Sequence, residues 1–320
     1  MEKKSVIAEL CQNHNGDSSL IDELVSAAAE SGADYVKMQY VESKSLSHRD
    51  RFDNGLEEGG KVKVIKRPFK DEQKRLSDLD LPEHAYIQFL DLCKKYKVKP
   101  MITVFTLDCV RKIINLGYKN IKLSSFDCIS KPLIKFLANS PIDSLVLSTG
   151  CSYRREIEDA AKILNTHPNP SLLHCVSIYP TPLKEAHLSR ISYLSKLTSC
   201  VGISDHSNPE INSNIIPAAS SFLGANVIEK HFTILPKDKT KDGLVSTNPK
   251  QFKELSYLFK TDRKNQESYL ESHKIDINDL LGDPLRELSD IELLNRDYYQ
   301  GRYCNFDDYG NSYFNWEERT

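Results

Sequence analysis

Apolar segments of this 320-residue chain repeatedly end in side chains that could do chemistry. The stretch VGISDHS contains Ser204 and His206, and the stretch VIEKHFT repeats the plan with His231. An apolar run of this kind is typical of a strand buried on both faces, and an ionisable side chain at its end is costly to bury without a partner. These polar ends therefore predict a shared functional site.

The two histidines lie 25 residues apart, which is the length of one strand and helix unit. This spacing would place them on adjacent strands at the same height. Two neutral imidazoles there could share one divalent ion and leave coordination positions open for substrate oxygens. A pair of buried, hydrogen-bonded histidines fits the same spacing, so both interpretations stay open.

Other apolar segments also end in polar residues, and these residues are mostly cationic or hydroxyl-bearing. They are Glu9, Lys37, Gln39, Thr103, Lys122, Ser125, Ser148, Thr149, Ser177, Tyr179 and Lys230. A lone lysine at a strand end is commonly a solvated residue, so the prediction depends on their coincidence. Ammonium groups supply charge and hydroxyls supply short directional donors, which together suit a phosphate and a carboxylate.

Strands and helices alternate strictly along most of the chain. Apolar, β-branched segments fall at residues 5–10, 33–39, 98–105, 120–125, 143–149, 171–177, 200–204 and 226–232. Amphipathic helical patterns fall at residues 19–32, 82–96, 108–116, 131–138, 154–165, 185–197, 209–223 and 248–260. Such alternation predicts an α/β fold with parallel strands, and eight units in roughly 250 residues favour a (β/α)8 TIM barrel over an open doubly wound sheet. In a barrel, the carboxyl ends of the strands carry the active site.

Two parts of the chain do not follow the barrel pattern. We predict a barrel domain at residues 1–262 and a short C-terminal extension at 263–320, which holds five tyrosines between 298 and 313 and the only tryptophan. The extension could dock on the barrel, complete a neighbouring subunit or be partly disordered, and its aromatic content favours docking. The polar segment 41–81 is too long for an ordinary connection and is expected at the functional face.

The composition argues against several classes of partner. The chain has 43 basic and 45 acidic residues and a formal charge of −2, so a nucleic-acid partner is not expected. Its eight cysteines form no CxxC pair, which is typical of reduced thiols. The N-terminal residues lack the apolar core of a signal peptide, and no run of about 18 apolar residues occurs. We therefore expect a soluble, cytoplasmic protein without a membrane partner.

Several motifs together resemble one enzyme family. They are IAELCQNHNGD, GADYVKMQ, IKLSSFD, LSTG, LLHCVSIYPTP, VGISDHS, GANVIEKHFT and DGLVSTNP, in order between about residues 5 and 260. This set resembles the N-acetylneuraminate (sialic acid) synthase family, which includes the legionaminate and pseudaminate synthases. The resemblance implies a homodimeric TIM-barrel transferase that condenses phosphoenolpyruvate with an N-acylated amino sugar aldehyde. The products would be a nonulosonic 2-keto acid and phosphate, formed with C–O cleavage of phosphoenolpyruvate.

The resemblance also implies roles for individual residues. Phosphoenolpyruvate would be held by Lys37, Thr103, Lys122, Ser125, Ser148, Ser177 and Ser204, the sugar by Gln39, Tyr179 and Asp242, and a divalent ion, Mn²⁺ or Mg²⁺, by His206 and His231. Glu9 and Asp127 match active-site carboxylates, and either could activate the water that adds to C2 of phosphoenolpyruvate. Lys37 and Lys122 would stabilise the phosphate. The bound ion would act as a Lewis acid on the aldehyde.

The chain departs from the family pattern in several places. The third-strand motif reads TVFT without the usual Pro and Asp, Asp127 replaces a Glu, and Ser177 replaces an Asn. Because Asp is one methylene shorter than Glu, Asp127 is expected to reach its target through a water. Residues 263–320 are too short and too differently composed to be the family's antifreeze-like domain, which contributes an Arg to the sugar. Arg296, Arg302 or the tyrosines could replace that Arg or serve in packing.

Two other functions fit the same residues. An aldolase on this barrel would form a Schiff base through Lys122 or Lys37. A catalytically idle barrel could instead serve as a binding subunit for a partner.

Overall fold

Eight parallel strands form a closed barrel in the structure, a computed structural model that describes residues 4–318. The strands are β1 (Ser5–Cys11), β2 (Tyr35–Gln39), β3 (Lys99–Val104), β4 (Asn120–Leu123), β5 (Ser144–Ser148), β6 (Pro170–Cys175), β7 (Cys200–Asp205) and β8 (Val227–His231). Each strand pairs with the next along the chain, and β8 pairs with β1 to close the barrel. The predicted TIM barrel is therefore confirmed, and the open sheet is excluded.

Close contact between β7 and β8 requires a residue without a side chain. A Cβ atom on Gly202 would lie 2.1 Å from the backbone oxygen of Val227 on β8. No larger residue fits this point without moving the strand, because real Cβ atoms do not approach a backbone oxygen so closely. Gly202 therefore allows these two strands to pair at the spacing that closure of the barrel needs.

The barrel interior changes from apolar to polar along the strands. Ile7, Met101, Val146, Leu173 and Val227 form a small buried cluster inside the barrel. Side chains alternate between the two faces of a strand, so the residues two positions further along face inward again. Several of the residues two positions further along are polar. The interior of the barrel therefore becomes polar towards the carboxyl ends of the strands.

Helices cover the outside of the barrel and supply the main hydrophobic core. The helices between strands and after β8 are Leu20–Glu30, Glu83–Lys95, Leu107–Asn115, Lys131–Ala138, Arg154–Leu164, Arg190–Leu194, Pro209–Asn212, Ile215–Phe222 and Pro249–Lys260. The first of them buries Ile21, Leu24, Val25 and Ala28, as its helical period predicts. These residues pack with the outward-facing Val6, Ala8 and Leu10 of β1 in one cluster.

Two predicted helices are wrong in extent. The helix expected at 209–223 is broken, because Ser213 adopts a φ of +47° between the two observed helices. Pro217 falls in the first turn of the second helix, where its missing N–H is harmless, whereas a continuous helix would place its ring against the preceding turn. The helix expected at 185–197 covers only Arg190–Leu194, because Leu188 N donates to Leu280 O at 2.8 Å instead of a helical carbonyl.

The segment 41–81 has a small structure of its own. It contains the short helices Ser43–Ser45 and Arg51–Asn54, an antiparallel hairpin of Leu56–Glu58 with Lys61–Val64, and the helix Phe69–Ser77. Phe52 and Leu76 are its buried anchors. The segment is therefore folded and is not a free loop.

The C-terminal extension docks on the barrel, as its aromatic content predicts. It contains the helices Arg263–Ser272, Asn278–Leu281 and Asp290–Tyr299 and a short pairing of Asn305–Phe306 with Ser312–Tyr313. Leu270 and Leu280 belong to the main core cluster, so the extension shares the core of the barrel. The predicted domain boundary at 262 stays a prediction.

Between residues 4 and 318, none of the helices has the length and apolar character needed to cross a membrane.

Candidate active site

One cavity of about 550 Å³ opens at the carboxyl ends of the strands. The residues to which the family resemblance assigns a role all line it: Glu9, Lys37, Gln39, Thr103, Lys122, Ser125, Asp127, Ser148, Ser177, Tyr179, Ser204, His206, His231 and Asp242. Two further polar residues at strand ends, Thr149 and Lys230, do not line it. The barrel thus brings together side chains that are up to 233 residues apart in sequence. Their functional roles stay predictions.

Glu229 is at the centre of the buried charge network and was missed in the sequence. Its carboxylate accepts a hydrogen bond from Ser204 Oγ at 2.8 Å and lies 3.3 Å from Lys122 Nζ and 3.6 Å from Lys37 Nζ. Burial acts to raise the pKa of Glu229, but Lys122 and Lys37 outweigh it and lower that pKa to about 2. Glu229 is therefore an anion that neutralises part of the charge of both lysines.

Lys37 has a second anionic partner in Glu9. The two side chains form an ion pair, and Lys37 Nζ also donates to Thr103 Oγ1 at 2.7 Å. The other oxygen of Glu9 accepts from Gln39 Nε2 at 2.8 Å. Burial acts to lower the pKa of Lys37, but Glu229 and Glu9 outweigh it and raise that pKa. Lys37 is therefore an ammonium group at neutral pH.

Hydroxyl groups crowd together at the ends of β4 to β6. Gly150 N donates to Ser125 Oγ at 3.0 Å. A Cβ atom on Gly150 would lie 2.6 Å from Ser177 Oγ, so a larger residue here would displace the hydroxyl groups. Ser148 Oγ is buried and has no hydrogen-bond partner among the described residues. A buried hydroxyl without a partner indicates a site that a ligand completes.

The histidines form a pair at the ends of β7 and β8, with ring centroids 5.5 Å apart. His206 Nδ1 lies 3.2 Å from Val176 O, which accepts its proton and leaves the lone pair on Nε2. Burial and then His231 lower the pKa of His206 to about 3, so this imidazole stays neutral. The ring of Tyr179 lies against His206, with centroids 4.1 Å apart.

His231 offers a second free nitrogen for a metal ion. Its Nδ1 is buried and lacks a hydrogen-bond partner within residues 4–318, and Asp242 Oδ2 lies 3.8 Å from it. Ligand atoms of His231, Asp242 and Cys11 lie within 4.8 Å of one another. Burial and Asp242 raise the pKa of the Cys11 thiol well above its usual range, so Cys11 stays a weak ligand. Imidazole and carboxylate donors that face one point fit a divalent ion.

The position of Asp205 between Ser204 and His206 suggests that it orients one of them, but its side-chain partners in the structure are different. Its carboxylate accepts from Lys230 Nζ at 2.7 Å and from Ser207 Oγ at 3.0 Å. The expectation that Lys230 belongs to the cavity is also wrong, since Lys230 is absent from the residues that line it. Adjacent residues of a strand face opposite sides, so Glu229 faces inward and Lys230 faces outward.

Asp127 is held by three side chains, one of which comes from the extension. Ser124 Oγ donates to it at 2.7 Å, Ser130 Oγ at 3.1 Å and Asn315 Nδ2 at 3.1 Å. Burial raises the pKa of Asp127, although these hydrogen bonds oppose the shift. Asn315 also donates to Phe105 O at 2.8 Å, so it ties the extension to two strand ends.

The extension also fixes the backbone of Ser177. Asn295 Nδ2 donates to Ser177 O at 2.8 Å, and Ser177 N donates to Glu292 Oε1 at 3.4 Å. Arg296 pairs with Glu156 at 2.6 Å and does not line the cavity, whereas Arg302 does. Several further lining residues were not singled out in the sequence: Arg67, Lys241, Asn315 and Trp316. Only the segments that hold Arg67 and Trp316 were expected at the functional face or on the barrel.

Comparisons with known proteins agree with this geometry. A family model described as the NeuB family matches residues 24–268. The chain is 32% identical over 268 residues to the N,N'-diacetyllegionaminic acid synthase of Campylobacter jejuni, covering 80% of this chain and 75% of that protein. It is 27% identical over 258 residues to the pseudaminic acid synthase of Helicobacter pylori, covering 80% and 73%.

Solved structures of similar proteins share the fold over nearly the whole chain. The spore coat polysaccharide biosynthesis protein SpsE of Bacillus subtilis has a TM-score of 0.71 and 26% identity, covering 94% of this chain and 78% of that one. The N-acetylneuraminic acid synthetase of Leptospira borgpetersenii, in complex with citrate, has a TM-score of 0.67 and 26% identity, covering 92% and 91%. With the family match spanning most of the barrel, the chain belongs to the NeuB family.

Proposed function

We propose that this protein is a nonulosonate synthase that condenses phosphoenolpyruvate with an N-acylated amino sugar aldehyde. The observation that carries the proposal is that one cavity contains Lys37, Lys122, the strand-end hydroxyls and the histidine pair. The similarity to legionaminic and pseudaminic acid synthases supports the same reaction class. A bond forms between C3 of phosphoenolpyruvate and the aldehyde carbon, water adds to C2, and the C2–O bond to phosphate breaks.

In this proposal, phosphoenolpyruvate occupies the side of the cavity formed by β2 to β7. Lys37 and Lys122 supply ammonium groups, and Ser125, Ser148 and Ser177 supply hydroxyl donors. The unpartnered Ser148 Oγ supports this placement, because a ligand oxygen would satisfy it. These two lysines would then stabilise the negative charge that develops on the departing phosphate, because the fold already holds them in position.

A divalent ion, Mn²⁺ or Mg²⁺, is part of the proposal, with His206, His231 and Asp242 as the residues that would hold it. The neutral imidazole of His206, the unpartnered Nδ1 of His231 and the carboxylate of Asp242 beside it support this donor set. When bound, such an ion supplies Lewis-acid polarisation of a carbonyl. Gln39 and Tyr179 also line the cavity and would contact the sugar, and the ring of Tyr179 lies against His206.

We assign activation of the water that adds to C2 to Asp127. Burial raises the pKa of Asp127, and a carboxylate with a raised pKa is a stronger base at neutral pH. Glu9 is less available for proton transfer, because it is ion-paired with Lys37, whereas the three hydrogen-bond partners of Asp127 are neutral side chains. Glu9 would instead hold Lys37 and Gln39 in place.

The charge state of Lys37 argues against a Schiff-base aldolase through that residue. Imine formation needs a neutral amine, and the carboxylates of Glu229 and Glu9 raise the pKa of Lys37 against the effect of burial. Lys122 also lies beside Glu229, at 3.3 Å. We further propose a cytoplasmic location, in keeping with the reduced thiols, and a homodimeric assembly.

A phosphate-release assay tests the proposed function. Phosphate should appear only when phosphoenolpyruvate, Mn²⁺ and an N-acylated mannosamine or 2,4-diacetamido-sugar are all present, and mass spectrometry should show the nine-carbon product. Loss of a residue that only hydrogen-bonds to a metal ligand costs a metal site roughly 10- to 100-fold, and His206→Ala should lower kcat/KM by more than this. His84→Ala, an exposed histidine on a surface helix, is the matched control.

Three results would contradict the proposal. Phosphate release that survives both chelation and His206→Ala would exclude the ion and its ligands from the reaction. A pyruvate adduct trapped by borohydride would support the aldolase instead. Calorimetry that shows no binding of phosphoenolpyruvate would favour an idle binding subunit.

A further inference from the structure

Four cationic side chains gather at one side of the cavity mouth. Arg67, Lys241 and Arg302 line the cavity, and Arg75 lies behind them. All three arginines and the carboxylate of Glu72 lie close enough to Lys241 to interact with its charge. We call Arg67, Arg75, Lys241 and Arg302 the mouth cluster.

Glu72 is already engaged by two members of the mouth cluster. It accepts from Arg75 Nε and Nη2, both at 2.9 Å, and forms an ion pair with Arg302. Within residues 4–318, no carboxylate lies at ion-pairing distance from Arg67 or Lys241, and the buried Nε of Arg302 has no hydrogen-bond partner. The mouth cluster therefore has positive charges and N–H donors that have no partner among the described residues.

The deeper part of the cavity is different, because its charges are balanced. Lys37 and Lys122 face the carboxylates of Glu9 and Glu229. Uncompensated positive charge is thus concentrated at the mouth. Guanidinium groups bind phosphate and carboxylate oxygens through pairs of parallel hydrogen bonds, so the missing partner is an anion of one of these kinds.

The position of the mouth cluster indicates which substrate carries this anion. Arg75 Nη1 donates at 2.7 Å to Gln12, which follows β1, and Lys241 directly precedes Asp242. Asp242 is 3.8 Å from His231 at the end of β8. Through Lys241 and Asp242 the cluster therefore adjoins the histidine pair, where the sugar aldehyde is proposed to bind.

Two segments outside the eight strand and helix units contribute residues to the mouth cluster. Arg67 comes from segment 41–81, and Arg302 comes from the C-terminal extension. The segments are joined by backbone hydrogen bonds from Ser47 N to Arg302 O and from Cys304 N to Ser45 O, each 2.9 Å. The backbone that carries Arg302 is therefore held against segment 41–81 by the fold.

We propose that the amino sugar acceptor carries an anionic substituent, a phosphate monoester or a carboxylate, at the end remote from its aldehyde. Arg67, Lys241 and Arg302 bind this substituent while the aldehyde faces the histidine pair. This inference rests on the proposed function and narrows its substrate class from N-acylated amino sugars in general to those with a negative charge.

Competition between charged and neutral acceptors tests the proposal. The probes are N-acetylmannosamine, its 6-phosphate and the corresponding 6-carboxylate, each with phosphoenolpyruvate and Mn²⁺. We expect kcat/KM for at least one anionic probe to exceed that for the neutral sugar by roughly tenfold or more, the effect of about one charged hydrogen-bonded pair. The 6-phosphate and 6-carboxylate arms then identify the kind of anion.

Substitutions in the mouth cluster test whether its residues cause the preference for an anionic acceptor. Arg67→Met and Lys241→Met should each reduce the ratio of kcat/KM for the anionic probe over the neutral one by roughly tenfold. The matched controls are Arg51→Met and Lys239→Met, which remove exposed cations that do not line the cavity and should keep the wild-type ratio. Arg302 is left intact because its loss would leave Glu72 buried with one partner fewer.

The outcomes separate this inference from the proposed function. Product from all three probes without preference for an anion would overturn the inference and leave the synthase intact. A raised KM for phosphoenolpyruvate with an unchanged probe ratio would assign the mouth cluster to phosphoenolpyruvate and overturn the inference as well. Absence of phosphate release with every probe would contradict the proposed function itself.

Discussion

His206 is a buried imidazole whose environment keeps it neutral. Its Nδ1 donates to Val176 O, and burial together with His231 lowers its pKa to about 3. A neutral ring with a free Nε2 is ready to bind a cation without first losing a proton. The same property has a cost in stability, since the unfolded chain can protonate this histidine and the folded one cannot.

We therefore expect His206 to make the metal-free protein less stable in mild acid. Below the ordinary pKa of 6.5 the unfolded state binds a proton that the native state accepts only near 3, so stability falls as the pH falls through this window. The contribution is up to about 1.4 kcal/mol per pH unit. His206→Asn, whose amide can still donate to Val176 O, should reduce the slope of unfolding free energy against pH between 6.5 and 4.5.

Urea unfolding at several pH values in the presence of a chelator measures this slope. His84→Asn replaces an exposed histidine on the helix Glu83–Lys95 and serves as the control. If the slope of His206→Asn equals that of the wild type, the native pKa of His206 is not depressed in solution.

Which side chains reach the cavity follows largely from the period of the strands. Inward-facing residues alternate with outward-facing ones, so Glu9, Lys37 and Thr103 could be predicted. The same rule selects Glu229 and rejects Lys230, and sequence reasoning erred there by counting position along the segment without its alternation. Arg67 and Lys241 had no such signal, because they lie in irregular connections whose course depends on tertiary contacts.

The extension acts on the active site through its last described residues. Asn315 donates to Asp127 Oδ1 at 3.1 Å and so stabilises the ionised carboxylate against the opposing effect of burial. Removing this donor should raise the pKa of Asp127. If ionised Asp127 is the base, the acidic limb of the profile of kcat against pH moves to higher pH.

We expect Asn315→Ala to shift that limb upwards by roughly one pH unit, which corresponds to the loss of one hydrogen bond to a charged group. Asn311→Ala, an exposed asparagine in the same part of the extension, should leave the profile in place. A uniform loss of kcat at every pH would instead assign Asn315 to packing alone.

The boundaries of the helices were less predictable than their existence. Periodicity located the helix Lys131–Ala138 at the residues predicted for it. It failed at 185–197, because pairing of Leu188 and Ser189 with Leu280 and Leu281 replaces helical hydrogen bonds there. That pairing joins residues about 90 positions apart, and a local pattern carries no information about it.

Among the described residues, the main hydrophobic core includes part of the extension. Gln266 Nε2 donates to Ser221 Oγ at 2.7 Å, and Leu270 and Leu280 pack in the same cluster as the barrel helices. Because the extension and the barrel bury apolar side chains against each other, the folding of one is coupled to the folding of the other. Residues 263–318 are thus expected to unfold together with the barrel and not as a separate unit.

A core substitution within the extension tests this coupling. Leu280 is 2% exposed, so Leu280→Ala removes buried methyl groups and should lower the unfolding free energy by about 2–5 kcal/mol. Leu285→Ala, at a leucine that is 45% exposed in the same segment, should change it by less than about 1 kcal/mol. Calorimetry of Leu280→Ala should show one transition, moved as a whole to lower temperature, whereas a second transition with the barrel unchanged would show that the extension folds independently.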